Sequence, residues 1–146
     1  MSSSNSVSKA DIYESHKFLH TPDIAAKLKT KTIGIAGLGG LGSNAAISLA
    51  RAGIGTLILI DFDRVELSNL NRQAYFLENL GMYKTDAIAD IIFRINPYIN
   101  LILKQTTITE QNCMDLFADA NLVIEAVDDA ESKEMIIETC QIFDSA

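Results

Sequence analysis

The chain has 146 residues, of which 48% are hydrophobic and 21% are charged, and its net charge at pH 7 is −7. These values are those of one globular domain with a sizeable core, and the acidic balance argues against a nucleic-acid partner, which would need a basic surface. No apolar run approaches the length of a membrane span and the N-terminus has no signal-peptide core, so we expect a cytoplasmic protein without a membrane partner.

The sequence of the N-terminal segment predicts little regular structure beyond short helices. Residues 1–8 are rich in serine, which predicts disorder, and the weakly helical stretch 10–19 and its flank carry two histidines that we interpret as surface residues. A Thr-Pro pair at 21–22 is typical of the start of a helix. We therefore predict a disordered segment with short helices over 1–30 and a single domain over 31–146.

Strands and helices alternate in the predicted structure of this domain. Short apolar runs rich in β-branched residues predict strands, and apolar residues at helical spacing predict helices that bury one face. The predicted strands lie at 31–36, 56–60, 100–105 and 121–126, and the predicted helices lie at 40–52, 82–95, 110–118 and 131–142. The alternation predicts an α/β fold, a Rossmann-like three-layer sandwich with a mainly parallel sheet. Because a last helix of this kind normally leads into another strand, we expect a C-terminally truncated domain, the N-terminal part of a longer one.

A glycine-rich turn, GLGGLG, joins the first strand to its helix. Gly37 permits a tight turn, Gly39 lets the backbone approach a phosphate, and Gly42 lets the helix pack closely on the strand. The helix begins near Gly40, so its free N–H groups face the same phosphate. Asp61 ends the second strand, where its carboxylate can accept both hydroxyls of a ribose. We therefore predict a nucleotide site, although Asp61 alone could also be explained as the end of a strand.

A long polar loop follows Asp61 and is dense in hydrogen-bonding side chains, among them Asn69, Arg72 and Gln73. Arg72 carries a planar fork that suits phosphate oxygens, and the loop would lie at the carboxyl ends of the strands, where α/β proteins bind ligands. The alternative is a polar surface loop without a ligand. Lys84 lies in the first turn of the next helix, where a cation opposes the helix dipole, so we expect it to face an anion; the alternative is a solvated lysine.

Two acids, Asp128 and Asp129, follow the fourth strand. A carboxylate beside a polyphosphate is a natural ligand for Mg²⁺, but for these acids taken alone capping of the next helix is the better explanation, and one can cap while the other binds metal. The charged residues Glu131, Lys133 and Glu134 have the pattern of a solvated helix face.

Five segments together resemble the ThiF family, the bacterial relatives of ubiquitin-activating enzymes: GLGGLGSN, LIDFDRVELSNLNRQ, GMYKTDA, RINP and EAVDDAESK. The resemblance runs from about Lys31 to Lys133. It implies an adenylyltransferase that uses ATP and Mg²⁺ to convert the C-terminal glycine carboxylate of a ubiquitin-like sulfur carrier protein, ending in Gly-Gly, into an acyl-adenylate with release of pyrophosphate. The nearest branch resembles the short ThiF proteins of thiamine biosynthesis, whose carrier is ThiS, and a homodimer is implied.

The resemblance also implies a role for each matching residue. Gly37, Gly39, Gly40 and Gly42 match the nucleotide turn, and Asp61 matches the ribose ligand. Asp63 and Asn69 match other positions of the ATP site. The phosphate-binding groups are matched by Arg72, Gln73 and Lys84, and the magnesium ligand by Asp128. Arg72, Lys84 and Asp128 are the implied catalytic residues. Three features depart from the family: its N-terminal arginine is missing and only Lys17 is nearby, Asp129 replaces an asparagine, and no zinc-binding CxxC pair or later catalytic cysteine is present in the sequence.

Other functions remain open at this point. A molybdopterin carrier adenylyltransferase or a tRNA threonylcarbamoyladenosine dehydratase would share these ATP-site residues, although the acidic charge disfavours tRNA. An NAD-dependent dehydrogenase shares the glycine turn and Asp61 but leaves Arg72, Lys84 and Asp128 unexplained. A fourth possibility is a non-catalytic nucleotide-binding subunit of a heterodimer.

Overall fold

The computed structural model describes residues 6–144. The helices are α1 (Lys9–Leu19), α2 (Pro22–Lys29), α3 (Gly40–Ala52), α4 (Lys84–Ile95), α5 (Cys113–Leu116) and α6 (Ala130–Asp144), and the strands are β1 (Thr32–Ala36), β2 (Thr56–Ile60), β3 (Asn100–Lys104) and β4 (Leu122–Glu125). Two short 3-10 turns, Leu67–Asn69 and Leu77–Asn79, lie in the long loop between β2 and α4. No helix within the described range is long and apolar enough to cross a membrane.

The four strands form one parallel sheet in the order β3-β2-β1-β4. Along the chain, β2 and β3 are added on one side of β1, and the chain then crosses to place β4 on the other side. The order therefore reverses between β1 and β4, and in open α/β sheets ligands bind in the crevice at such a point, outside the carboxyl ends of the strands. The predicted Rossmann-like α/β fold is confirmed, and the sheet that the structure describes is parallel throughout.

Two hydrophobic clusters cover the two faces of the sheet. Alternate residues of a strand point to opposite faces, so Leu57 and Leu59 pack in the cluster that includes α3 and α4, while Ile58 and Ile60 pack in the cluster that includes α5 and α6. All four side chains are buried. This burial on both faces explains why β2 is apolar at every position, and it gives the three layers that the alternation of elements predicts.

The predicted helix at 110–118 is reduced to the single turn of α5. The side chain of Asn112 accepts a hydrogen bond from the N–H of Thr109 at 2.8 Å and donates one to the carbonyl of Thr107 at 3.0 Å. These bonds hold a turn before Cys113, so the helix begins three residues later than its apolar pattern predicts. Cys113 itself is buried, and burial raises the pKa of its thiol to about 11.

The N-terminal segment forms two short helices, α1 and α2, where its sequence predicts them. Residues 1–5 lie outside the described residues, but Ser8 caps α1, because its hydroxyl accepts the N–H of Asp11 at 3.2 Å while Asp11 accepts in return from Ser8. His16 and His20 are half-buried, which corrects the interpretation of both as surface residues. The ring of His16 lies against Gly53, and burial, followed by the effect of His20, lowers the pKa of His16.

Candidate nucleotide site at the carboxyl edge of the sheet

A cavity of about 480 Å³ lies at the carboxyl edge of the sheet. The loops that follow β1, β2, β3 and β4 all contribute to its walls, as expected for the point where the strand order reverses. Its volume is within the range of small-molecule sites. Of the residues predicted from the sequence, the structure brings together Gly37, Gly39, Gly40, Asp61, Asp63, Arg72, Gln73, Lys84 and Asp128.

The glycine turn forms the floor of this cavity. Gly37 has a φ of +88°, a left-handed conformation that favours glycine, and its N–H donates to the carbonyl of Ile60 at 2.9 Å. A Cβ on Gly42 would collide with the carbonyl oxygen of Gly37, so only glycine lets α3 begin this close to the turn. In the described part of the chain, the N-cap residue of α3 is Gly39, which makes no side-chain capping bond, so the first N–H groups of the helix are available to an anion in the cavity.

Asp61 holds the glycine turn to the loop after β2. One carboxylate oxygen accepts the N–H of Leu38 at 2.7 Å, and the other accepts the N–H of Asp63 at 2.8 Å. The carboxylate is only 9% exposed. Because each carboxylate oxygen can accept a second hydrogen bond, Asp61 fixes the backbone here and retains the capacity to accept ribose hydroxyls.

Lys84 is buried and paired with a carboxylate. Its side chain is 8% exposed, and Nζ lies 3.0 Å from Oδ2 of Asp63, which is itself half-exposed at the cavity. The N–H of Lys84 also donates to the carbonyl of Asp63 at 2.9 Å. Asp63 therefore offsets the unfavourable position of a cation at the start of a helix, and the pair presents an ammonium group at a fixed place in the wall.

Arg72 and Gln73 approach the cavity from the long loop. The guanidinium of Arg72 donates to the side chain of Asn71 at 2.9 Å, and its aliphatic stem passes over Gly40. Gln73 is 8% exposed, and within residues 6–144 its Oε1 has no hydrogen-bond partner. A buried amide oxygen without a partner costs stability, and a hydrogen-bond donor in the cavity would remove that cost.

The structure does not bring Asn69 to the cavity lining. Its side chain accepts the N–H of Glu66 at 2.9 Å and closes the 3-10 turn, because this short polar side chain follows Glu66 by three residues. Its carbonyl accepts the N–H of Gln73 at 2.9 Å. Asn69 thus shapes the turn that presents Arg72 and Gln73, and it is not among the residues that line the cavity.

The two acids after β4 have different surroundings. Asp129 accepts the N–H of Ser132 at 2.8 Å, which caps α6 and lowers the pKa of Asp129. Asp128 lines the cavity and is exposed. Lys133 also lines the cavity, with Nζ 3.1 Å from Glu125 Oε1, so this lysine of the predicted solvated helix face is 41% exposed and also forms an ion pair at the cavity. Its direction toward the sheet edge follows from the cap at Asp129, which sets where α6 begins.

Several residues that line the cavity were not predicted from the sequence. Thr106, Thr107 and Ile108 follow β3, and Leu41 and Phe62 lie beside the glycine turn and after Asp61. The signal for the first three was their place after a predicted parallel strand, since the carboxyl ends of parallel strands meet at one edge. No residue type marked Leu41 or Phe62.

Comparison with known proteins gives a family and several relatives. The chain matches the ThiF family over residues 14–144. It is similar to the adenylyltransferase and sulfurtransferase uba4 of Emericella nidulans (37% identity, 77% of this chain and 24% of that protein) and to ubiquitin-like modifier-activating enzyme 5 of Caenorhabditis elegans (32%, 78% and 30%). The chain thus spans less than a third of these relatives.

Among solved structures, the chain is similar to the E. coli tRNA N6-threonylcarbamoyladenosine dehydratase TcdA in complex with ATP. The TM-score is 0.88 at 30% identity, and the match covers 95% of this chain and 59% of that one. Because the similarity is this high over nearly the whole chain, it includes the strands that surround the cavity.

Proposed function

The chain belongs to the ThiF family, and on that premise we propose that it is an ATP-dependent adenylyltransferase that activates the C-terminal glycine carboxylate of a ubiquitin-like carrier protein. One observation carries the proposal. A single cavity joins an uncapped helix N-terminus at the glycine turn to two cationic side chains, Arg72 and Lys84, and to the carboxylate of Asp128. This is a set of groups that suits a polyphosphate and its cation.

The chemistry follows from charge. An oxygen of the carrier carboxylate attacks the α-phosphorus of ATP; the new C–O–P linkage forms as the bond from this phosphorus to the bridging oxygen breaks, and pyrophosphate leaves. A carboxylate is ionised at pH 7, so no general base is required. The main task of the protein is to stabilise negative charge on the phosphates, which we assign to the N–H groups of the glycine turn, Arg72 and Lys84.

Asp128 is the residue that would hold Mg²⁺. Across residues 6–144 no group of three or more His, Cys, Asp or Glu side chains could form a metal site by itself. A single carboxylate still fits magnesium, which takes one or two carboxylates together with phosphate oxygens and waters. When bound, the ion would neutralise phosphate charge. Asp63 and Asp129 are less suited, because Lys84 and the first turn of α6 already engage them.

The unpartnered oxygen of Gln73 supports nucleotide binding in particular. A nucleotide brings hydroxyl and amino donors as well as phosphate acceptors, and a side-chain amide can satisfy either by turning over. We propose that Gln73 bonds the nucleotide beside Arg72. Asp61 would accept from the ribose, as the resemblance implies.

We propose further that the carrier protein is of the ThiS type, ends in Gly-Gly and serves thiamine biosynthesis. The enzyme would act as a cytoplasmic homodimer, and its ATP-binding domain would cover residues 31–146. A tRNA N6-threonylcarbamoyladenosine dehydratase is the second candidate, because TcdA matches nearly the whole chain. The net charge of −7 favours the carrier over tRNA.

Pyrophosphate exchange into ATP tests the proposal. We expect the purified chain with MgATP to catalyse exchange when a Gly-Gly-terminated carrier is present, and Asp128→Asn to lower the rate about 100-fold because neutralising this carboxylate removes the metal's protein ligand. Asp119→Asn is the matched control, an exposed aspartate that does not line the cavity and should leave exchange unchanged. Exchange that depends on tRNA would favour the second candidate, and an unaffected Asp128→Asn variant would contradict the role of Asp128.

A further inference from the structure

We propose that Ser43 and Asn44, in the first turn of α3, and Tyr75 are positioning residues that fasten residues 72–75, here called the strap, to the glycine turn. Through the strap they would fix Arg72 and Gln73 beside the phosphate-binding N–H groups. The inference rests on the proposed function, since it concerns how the same cavity distinguishes ATP from a nucleoside without phosphates.

Ser43 makes the central contact. Its hydroxyl donates to the carbonyl of Gly39 at 2.6 Å and accepts the N–H of Ala74 at 3.1 Å. The side chain is fully buried. One hydroxyl therefore joins the glycine turn to the strap, using both its donor and its acceptor capacity, and its removal would leave the N–H of Ala74 without this partner.

Two further side chains hold the strap on either side of this contact. Asn44 donates from Nδ2 to the carbonyl of Arg72 at 3.2 Å and to the carbonyl of Gly40 at 2.6 Å. The hydroxyl of Tyr75 donates to the carbonyl of Leu38 at 2.7 Å. Burial, followed by the charge of Asp61, raises the pKa of this phenol far above its usual value, so it remains a donor at any working pH.

These contacts enclose the two residues that face the ligand. The strap belongs to no helix or strand, so its place depends on side chains from elsewhere in the fold. Asn44 holds the carbonyl of Arg72, Ser43 holds the residue after Gln73, and the stem of Arg72 lies 3.4 Å from the position a Cβ would take on Gly40. A shift of the strap by an ångström would move the guanidinium relative to the turn, and a misplacement of that size strongly reduces binding and rate.

The test compares ATP with adenosine by titration calorimetry. We expect Ser43→Ala and Tyr75→Phe each to raise the Kd of ATP about tenfold, the effect of one lost hydrogen bond, while adenosine binding stays within about twofold. Ser15→Ala and Tyr98→Phe are matched controls: each removes a hydroxyl that donates to a backbone carbonyl away from α3 and the strap, and neither should change the Kd of ATP.

A double-mutant cycle separates positioning from general destabilisation. If the three residues act through Arg72 and Gln73, then Ser43→Ala should change the Kd of ATP by no more than about twofold in a background that carries both Arg72→Ala and Gln73→Ala. The inference would be overturned if the variants lost equal affinity for ATP and for adenosine. It would also be overturned if Ser43→Ala raised the Kd of ATP by the same factor in that background as in the wild type. Asn44→Ala removes an exposed side chain and should follow the same pattern even if Ser43→Ala fails to fold. Wild-type chain that binds ATP no more tightly than adenosine would contradict the proposed function itself, and this role with it.

Discussion

Replacing Arg72 with alanine is expected to slow pyrophosphate exchange about 1,000-fold, a loss typical of removing a cation that stabilises a transferring phosphoryl group. The side chain reaches the cavity through an exposed guanidinium whose partners are Asn71 and the carbonyl of Ser68, at 2.9 and 3.5 Å. These partners are themselves surface groups of the loop. The fold should therefore survive the substitution, and the loss should fall on ATP turnover.

Two further variants sharpen this experiment. Arg94→Ala removes an exposed arginine whose partner is Glu78, 3.6 Å away; neither residue lines the cavity, so exchange should be unchanged. Arg72→Lys keeps the charge but not the planar fork, so we expect a rate between those of the wild type and Arg72→Ala. Full exchange by Arg72→Ala, with unfolding like that of the wild type, would remove Arg72 from the mechanism.

Gly42→Ala is expected to lower the free energy of unfolding by about 3 kcal/mol, the upper end of the cost of overpacking. The added methyl group would collide with the backbone carbonyl of Gly37, and this contact involves no flexible side chain that could move aside. The turn has little freedom to relax, because Gly37 already occupies a left-handed conformation and is tied to Ile60. ATP binding should be lost together with stability.

Gly39→Ala is the matched control for this prediction. A methyl group there would lie 3.9 Å from its nearest neighbour, Nε2 of Gln73, so it has no steric collision of the kind found at Gly42. Its unfolding free energy should stay within about 1 kcal/mol of the wild type, whereas ATP should bind more weakly because the methyl group enters the phosphate side of the cavity. Urea unfolding and ATP titration measure the two effects. Equal stability losses for both variants would contradict the assigned role of Gly42.

The part of the site that follows from local backbone geometry could be predicted from the sequence. The glycine turn and Asp61 are fixed by a strand, a tight turn and a helix that are adjacent in the chain, so residue type and spacing were sufficient to place them at the carboxyl edge. Arg72, Lys84 and Asp128 also reach the cavity, since each follows or opens an element that ends at that edge.

The directions of individual side chains in the long loop could not be predicted. Asn69 and Gln73 are both polar amides in the same few residues, yet Asn69 closes a turn while Gln73 is buried in the cavity wall. The difference arises from contacts such as that of Ser43 with Ala74, which join positions 31 residues apart. In the same way, Lys133 reaches the cavity because Asp129 caps α6 and so sets the residue at which this helix begins. A pattern of charges in the sequence does not predict that residue.

We expect the cavity to bind MgATP and not a dinucleotide. Calorimetric titration of the purified chain with MgATP and, separately, with NADH tests it most directly. We predict that MgATP binds, that NADH neither binds nor competes, and that Arg72→Ala weakens binding of MgATP. Binding of NADH without binding of MgATP would contradict the account and would assign the glycine turn and Asp61 to a dehydrogenase.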